Sequence, residues 1–285
     1  MKMALNRKPP LIRPSGPPSP TEGRRKFLNS NSLGIRVGEL SFTNTLPFRL
    51  GSPWKTIPCP SPRMLAQWAD GEKIDAGVLP VVEAWRLEDR FEPLGSFGIA
   101  VKRKAGSVLL FSKRPWAELD GAKIGVTDQT STSVQLLKVL LEGREGFSVH
   151  LRAGFDASDE GRLVIGDSAL VPTQNLLRDF PHITDLGEQW HAWHGGPFVF
   201  ARWMVRRTVP RYLREELVDS LDAALADFDQ NRDRVCRQAA KTLKLSPQRL
   251  MDYFAGLIYR LGDREDQSES LFRDFVSGRK KRVCC

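Results

Sequence analysis

The chain has no apolar run approaching the length of a membrane span, which excludes a protein that crosses a bilayer by helices. Its four cysteines, Cys59, Cys236, Cys284 and Cys285, include no C-x-x-C pair, and their spacing supports neither a disulfide framework nor a zinc site. Histidine is scarce as well. His191 and His194 are spaced i, i+3, but without a third ligand nearby they do not form a metal site, so no metal is expected. No internal repeat is present. The first 30 residues lack the continuous apolar core of a secretory signal, and a cytoplasmic protein is expected. The body of the chain also lacks net charge. Of the formal +9, residues 1–30 hold +6 and the run Arg279-Lys280-Lys281-Arg282 holds +4, leaving −1 for residues 31–278. A nucleic-acid binder would carry its basic stripe across a domain, so neither a nucleic-acid partner nor membrane insertion is expected. The terminal Cys284-Cys285 after basic residues reads either as a frayed tail with two thiols or as a prenylation signal.

What is present describes a globular protein: 285 residues, 41% hydrophobic and 27% charged, enough for a full core. Residues 1–32 form a basic arm with prolines at 9, 10, 14, 17, 18 and 20, a composition that cannot offset its ordering entropy. Then the text becomes α/β. Leu33 to Gly38 alternates like a strand, and Trp54–Ile57 reads as a second one. Ser61-Pro62 opens a helix carrying Met64, Leu65 and Trp68, closed by Gly71. Residues 74–79 read as a buried strand and 81–85 as a helix begun by Val81, with Glu83 favouring its dipole. A second α/β unit follows: a strand at 123–127, a helix through Leu141 stopped by Gly143, a strand at 162–167 and a helix through Leu177. Long extended stretches at 107–112 and 198–203 suggest two lobes joined by crossing strands, with a cleft between them, and residues 210–277 are mostly helical. Trp190 and Trp193 read as packing at the lobe junction.

The strand near residue 35 empties into Ser41-Phe42-Thr43-Asn44-Thr45-Leu46-Pro47-Phe48, which puts short hydrogen-bonding side chains at the carboxyl end of a sheet. Ser131, Thr132 and Ser133 open the helix of the second unit, where one of them should cap and the same N-terminus could bind an anion. Asp167 stands at a strand end, able to orient ligand donors, bridge the lobes or make a buried structural bond.

Five segments occur in the order found in the chorismate dehydratase family: Ser41–Phe48, Gly106–Ser112, Ser131–Val134, Ile165–Leu170, and Asp185–Trp190 continuing to Pro197–Ala201. The likeness spans roughly residues 35–275. This resemblance implies a two-lobed type II periplasmic-binding-protein-like α/β fold with two crossing strands and a helical C-terminal region. It implies boundaries at 33–108 with 203–277 for lobe 1, 109–202 for lobe 2, and a basic tail at 278–285. It further implies dehydration of chorismate to 3-[(1-carboxyvinyl)oxy]benzoate, the first step of the futalosine route to menaquinone, without cofactor or metal. By the same resemblance Asn44 and Ser107 are the catalytic pair; Ser41, Thr45, Ser131, Thr132, Ser133 and Asp167 are the further residues expected to bind the substrate. An amide is a poor base, so Asn44 is expected to hold the substrate while the substrate's own enolpyruvyl carboxylate removes the ring proton.

The chain departs from the family at His194-Gly195-Gly196-Pro197-Phe198, where Thr-Gly-Leu-Pro-Phe is usual. It also departs at Leu79-Pro80-Val81-Val82, where many relatives have Ser-Ser, and at Arg49 and Arg202. These positions are expected to border the cleft and bear on substrate choice. The naphthoate-forming enzyme of the same fold is disfavoured because its Ser-Pro-Cys-Pro-Asn-Asp start is missing. A non-catalytic protein that closes on a small carboxylate stays open as the alternative.

Overall fold

A computed structural model describes residues 34–51 and 54–279. The Pro-rich arm and the end of the tail, with Cys284 and Cys285, lie outside the described residues. Strand β1 (Val37–Leu40) runs through a 3-10 turn at Thr43–Thr45 into the short α1 (Leu46–Arg49) and then β2 (Thr56–Cys59). Helix α2 (Pro62–Asp70) starts and ends where its sequence punctuates it: the Ser61 hydroxyl accepts from the Met64 N–H, Pro62 sits in the first turn, and Gly71 closes the helix. Next come β3 (Ala76–Pro80), α3 (Val81–Arg86) and the 11-residue β4 (Phe91–Val101). The middle of the chain holds β5 (Val108–Ser112), β6 (Lys123–Val126), α4 (Thr132–Lys138), β7 (His150–Ala153) and β8 (Gly161–Ile165). It continues through α5 (Asp167–Leu170), α6 (Gln174–Asp179), β9 (His182–Asp185) and α7 (Leu186–His194). The last part is β10 (Phe198–Arg206), α8 (Arg211–Leu243), α9 (Pro247–Gly256), β11 (Leu257–Arg260) and α10 (Asp263–Val276).

These strands form two sheets, one ordered β11-β4-β10-β3-β1-β2 and the other β7-β6-β8-β5-β9. The chain leaves the larger sheet after β4, crosses through residues 102–107 into β5, and returns through residues 195–197 into β10. β4 and β10 pair antiparallel along most of their length, so both crossings leave from neighbouring strands of one sheet. One continuous apolar cluster fills the junction, running from Leu110 and Leu163 of the smaller sheet through Trp190 and Phe198 to Phe228, Phe254 and Phe272 of the C-terminal helices. The Trp190 indole is fully buried there and donates to the Pro197 carbonyl at 3.1 Å and to Ser268 Oγ at 3.0 Å. A second cluster lies between the larger sheet and α8. Close approach is built into β1, because a Cβ at Gly38 would stand 2.3 Å from Leu65 Cδ1 of α2.

Local expectations are corrected in three places, and the C-terminal region, mostly helical as expected, holds one strand besides. The helix expected to stop at Gly143 continues as a π-helical stretch, Val139–Glu145, and ends at Gly146 with φ 78°. The wider winding turns three successive residues, Val139, Leu140 and Leu141, into the core. The helix expected to run through Leu177 is two short helices, the second capped by the Thr173 hydroxyl on the Leu176 N–H. The C-terminal region is helical but contains β11, which adds an edge strand beside β4. The first strand begins at Val37 rather than Leu33 and reaches Leu40.

Asp75 ties three strands of the larger sheet. Its carboxylate accepts from the Arg36 N–H at 2.9 Å and from the Arg36 guanidinium at 2.8 and 2.7 Å, while Arg206 Nε lies 3.7 Å away. The Arg206 N–H donates to the Asp75 carbonyl at 2.7 Å. Burial opposes ionisation of Asp75, but the hydrogen bonds and charge of Arg36, with the charge of Arg206, outweigh it and hold the carboxyl below the usual carboxylate range. A depressed acid stabilises the fold fully above its unfolded pKa and loses that contribution as pH falls through its folded value. Replacing Asp75 by Asn is therefore expected to cost about 1–3 kcal/mol at neutral pH. It should also shrink the further loss seen on acidification below about pH 4, both read from urea unfolding across a pH series.

Candidate functional site

Between the two sheets lies a narrow cavity with about 70 Å³ of room for water. Its apolar wall comes from Leu40, Phe42, Val78, Val101, Val108 and Phe200; its polar lining comes from Asn44, Thr45, Ser107, Thr130, Thr132 and Ser133. Among the described residues that line it, none carries a charge at neutral pH.

Each polar group is positioned by local geometry. The loop after β1 folds into its 3-10 turn because Thr45 Oγ1 reaches back to the Leu40 and Phe42 carbonyls at 2.7 and 2.8 Å. The hydroxyl of Thr45 is thereby committed to the backbone, although the residue lines the cavity. This turn presents Asn44, whose carbonyl accepts from the Tyr259 hydroxyl at 2.9 Å. Asn44 Oδ1 is buried, with no hydrogen-bond partner among the described residues. Thr132 Oγ1, on the first turn of α4, is also buried and unpartnered there. An orphaned amide oxygen and an orphaned hydroxyl on opposite walls are what a site leaves for a polar ligand to satisfy.

Ser107 sits where the chain crosses into the smaller sheet. The Ala105 and Gly106 N–H groups donate to the Asp185 carboxylate at 3.0 and 2.7 Å, and the same carboxylate caps α7 through the Glu188 N–H at 3.1 Å. The Ser107 carbonyl accepts from the Gly166 N–H at 2.8 Å. Gly166 holds φ at 66° with Phe42 packed where a Cβ would stand, 3.2 Å away, so a larger residue is excluded on both counts. Ser107 Oγ meets the Tyr253 hydroxyl at 2.9 Å.

The structure gathers Asn44, Thr45, Ser107, Thr132 and Ser133 around one space and leaves three expected residues outside its lining. Ser41 is exposed and Ser131 half-buried. Asp167 instead bridges the two sheets' loops, accepting from the Thr43 N–H at 3.0 Å. A second bridge, from the Arg63 N–H to the Gln129 carbonyl at 3.1 Å, closes the cleft from the α2 side. The cap of α4 is a correction: none of residues 131–133 supplies it, and Thr130 Oγ1 accepts from the Ser133 N–H at 3.2 Å because the chain turns one residue earlier. Sequence reasoning missed Asp185 as the clamp on the crossing segment. Its signal was the capping pattern Asp185-x-x-Glu188. Tyr253 and Tyr259 carried no local signal. Burial pushes both hydroxyls well above the ordinary tyrosine range, so both stay protonated.

The sequence pattern of the family described as menaquinone biosynthesis matches residues 35–277. The chain belongs to that family. Among curated proteins, a chorismate dehydratase of Thermus thermophilus is 31% identical over 196 residues, covering 61% of this chain and 69% of that protein. Protein AF1704 of Archaeoglobus fulgidus superposes with a TM-score of 0.68 at 16% identity, covering 86% of this chain and 97% of that one. The periplasmic aliphatic sulphonate binding protein SsuA of Escherichia coli superposes with a TM-score of 0.57 at 13% identity, covering 87% and 94%. This member of the menaquinone biosynthesis family has the two-lobed α/β fold of the periplasmic binding proteins.

The departures noted in the sequence lie mostly away from the cavity lining, against expectation. The Arg202 side chain meets Glu269 and Asp266 of α10 in an outer groove, whereas Phe200 and Ala201, at a bulge between Val199 and Ala201, both line the cavity. Arg49 faces Glu39 at 3.8 Å, and Gly196 accepts from or donates to nothing in the cavity but offers its carbonyl to His191 Nδ1 at 3.2 Å. Of residues 79–82, Pro80 alone lines the space. Removing the Asp167 bridge tests the closure. Asp167→Ala is expected to shift the resting protein toward an open cleft by about five-fold, read as a larger radius of gyration in solution scattering. An unchanged radius would mean that the bond does not hold the cleft shut.

Proposed function

We propose that this protein dehydrates chorismate to 3-[(1-carboxyvinyl)oxy]benzoate, the opening reaction of the futalosine route. The observation that carries the reading is the uncharged cavity with unpaired Asn44 Oδ1 and Thr132 Oγ1 beside Ser107, in a chain of the menaquinone biosynthesis family. Chorismate is a dianion, and the first turn of α4 lends the partial positive charge of a helix N-terminus to one carboxylate. Phe42 and Phe200 supply flat apolar surface for the ring.

The reaction asks little of a nucleophile. The proton on the ring carbon that bears the enolpyruvyl ether is removed, and its electron pair enters the ring, conjugated with the ring carboxylate. The bond from the adjacent carbon to its hydroxyl then breaks, and the proton and hydroxide leave as water. Aromaticity supplies the driving force. No described lining residue is a base of suitable pKa, so the substrate's own enolpyruvyl carboxylate takes the proton, and the Asn44 amide holds that carboxylate over the ring carbon. Ser107 donates to the departing hydroxyl.

Purified protein incubated with chorismate should convert it catalytically, with product identified by chromatography and mass. Asn44→Ala should lower kcat by roughly 100-fold or more, the scale set by loss of one positioned polar group. Wild-type turnover in that variant would remove the role assigned to Asn44. If no product forms but chorismate raises the melting temperature, the protein is a carboxylate-binding member of the fold.

A further inference from the structure

We propose that Tyr253 is a positioning residue that acts through Ser107, fixing the serine hydroxyl so that its proton faces the cavity. The role rests on the reading that Ser107 donates to the departing hydroxyl. Tyr253 comes from α9, 146 residues along the chain from Ser107, and is half-buried. Its ring lies over the crossing segment, with Cδ2 3.2 Å from where a Cβ of Gly106 would stand, and Gly106 holds φ at 65°. A side chain at 106 would displace the ring, and only glycine adopts that backbone without strain.

Two neighbours compete for the Ser107 hydroxyl. The Ala105 carbonyl is 3.4 Å away, too long for a good O–H···O bond, and the Tyr253 oxygen is 2.9 Å away. A phenol is a much stronger acid than an aliphatic alcohol, so in this pair the tyrosine donates and the serine accepts. That direction occupies a lone pair of Ser107 Oγ and leaves its proton for the cavity. Burial, with the nearby Asp167 and Asp185 carboxylates, keeps Tyr253 protonated across the working pH range. The tyrosine therefore gives up no proton during the reaction: the water that leaves is made of the substrate's own ring proton and hydroxyl. Tyr253 sets direction only.

The same C-terminal segment also reaches the opposite wall, where the Tyr259 hydroxyl donates to the Asn44 carbonyl. One stretch of six residues beyond Tyr253 thus braces the two loops that carry the reacting-end side chains, one from each sheet.

The test is a double-variant cycle on the full chain with chorismate as substrate. Tyr253→Phe removes one atom and keeps the ring packing, so it should fold, with a melting temperature near that of the parent. It is expected to lower kcat about ten-fold, the rate equivalent of one lost hydrogen bond, with KM within about two-fold of the parent. In a Ser107→Ala background the same change should have no further effect on kcat, because the group it directs is gone. The pH profile of Tyr253→Phe should match the parent, since the phenol never ionises there. Unchanged kcat in Tyr253→Phe overturns the proposal, as does an equal loss in the Ser107→Ala background or a rise in KM alone. If Tyr253→Phe does not fold, the tyrosine is a packing residue and the positioning role falls. A parent protein without turnover would remove the proposed reaction and this role together, whereas an active parent with an unaffected Tyr253→Phe removes this role alone.

Discussion

The carboxylate of Asp185 accepts three backbone N–H groups, from Ala105 and Gly106 at the crossing and from Glu188 at the start of α7. A carboxylate in that setting replaces water for three donors at once, and charge-assisted bonds of this kind are stronger than neutral ones. It welds the end of β9 to the segment that carries the chain from one sheet to the other. Ser107, the next residue, cannot move without breaking this cluster or the bond from its carbonyl to Gly166. The opposite wall rests on another clamp, Thr45 on its own loop, which shapes the turn that presents Asn44. The site is held by backbone bonds to side chains, and of its polar lining Asn44 Oδ1 and Thr132 Oγ1 are left unpaired among the described residues.

Much of this organisation is legible in the residues. Helix α2 is written out by Ser61, Pro62 and Gly71, because caps and proline act locally. The polar loop with Asn44 and the segment with Ser107 stand out by their short hydrogen-bonding side chains at sheet ends, and both line the cavity. The parts that could not be read are those decided by distant partners. Strand β11 follows α9 in a continuous stretch of mixed apolar and polar residues, and only the open edge of β4 makes it extended. Four hydroxyl residues in a row, 130–133, can each cap a helix, and the direction of the incoming chain selects Thr130. Arg202 looks like a cleft residue in the sequence, yet its side chain points outward onto α10. Tyr253 reads as an ordinary helix residue until the fold brings it to Ser107.

The fold and the chemistry make different demands on the same architecture. Binding proteins of this fold need two sheets, a crossing and a closable cleft, and all are present here with interior-grade packing at the junction. Elimination of water from a cyclohexadiene asks in addition that a few dipoles stay fixed while charge moves within the ligand. The half-buried tyrosines, the Asp185 clamp and the interlobe bonds at Asp167 and Gln129 each remove a freedom from a wall of the cavity, which the proposed reaction would require.

A wall without titratable groups has a consequence for how such a protein responds to its surroundings. Among the described residues that line the cavity, none changes charge near neutral pH, so acidity does not act through the lining. Among the described residues that line the cavity there is no fixed cation, so the lining itself offers a ligand shape and fixed dipoles rather than a charge. The protein behaves toward its cargo as an ordered solvent, one whose dipoles are set before the solute arrives.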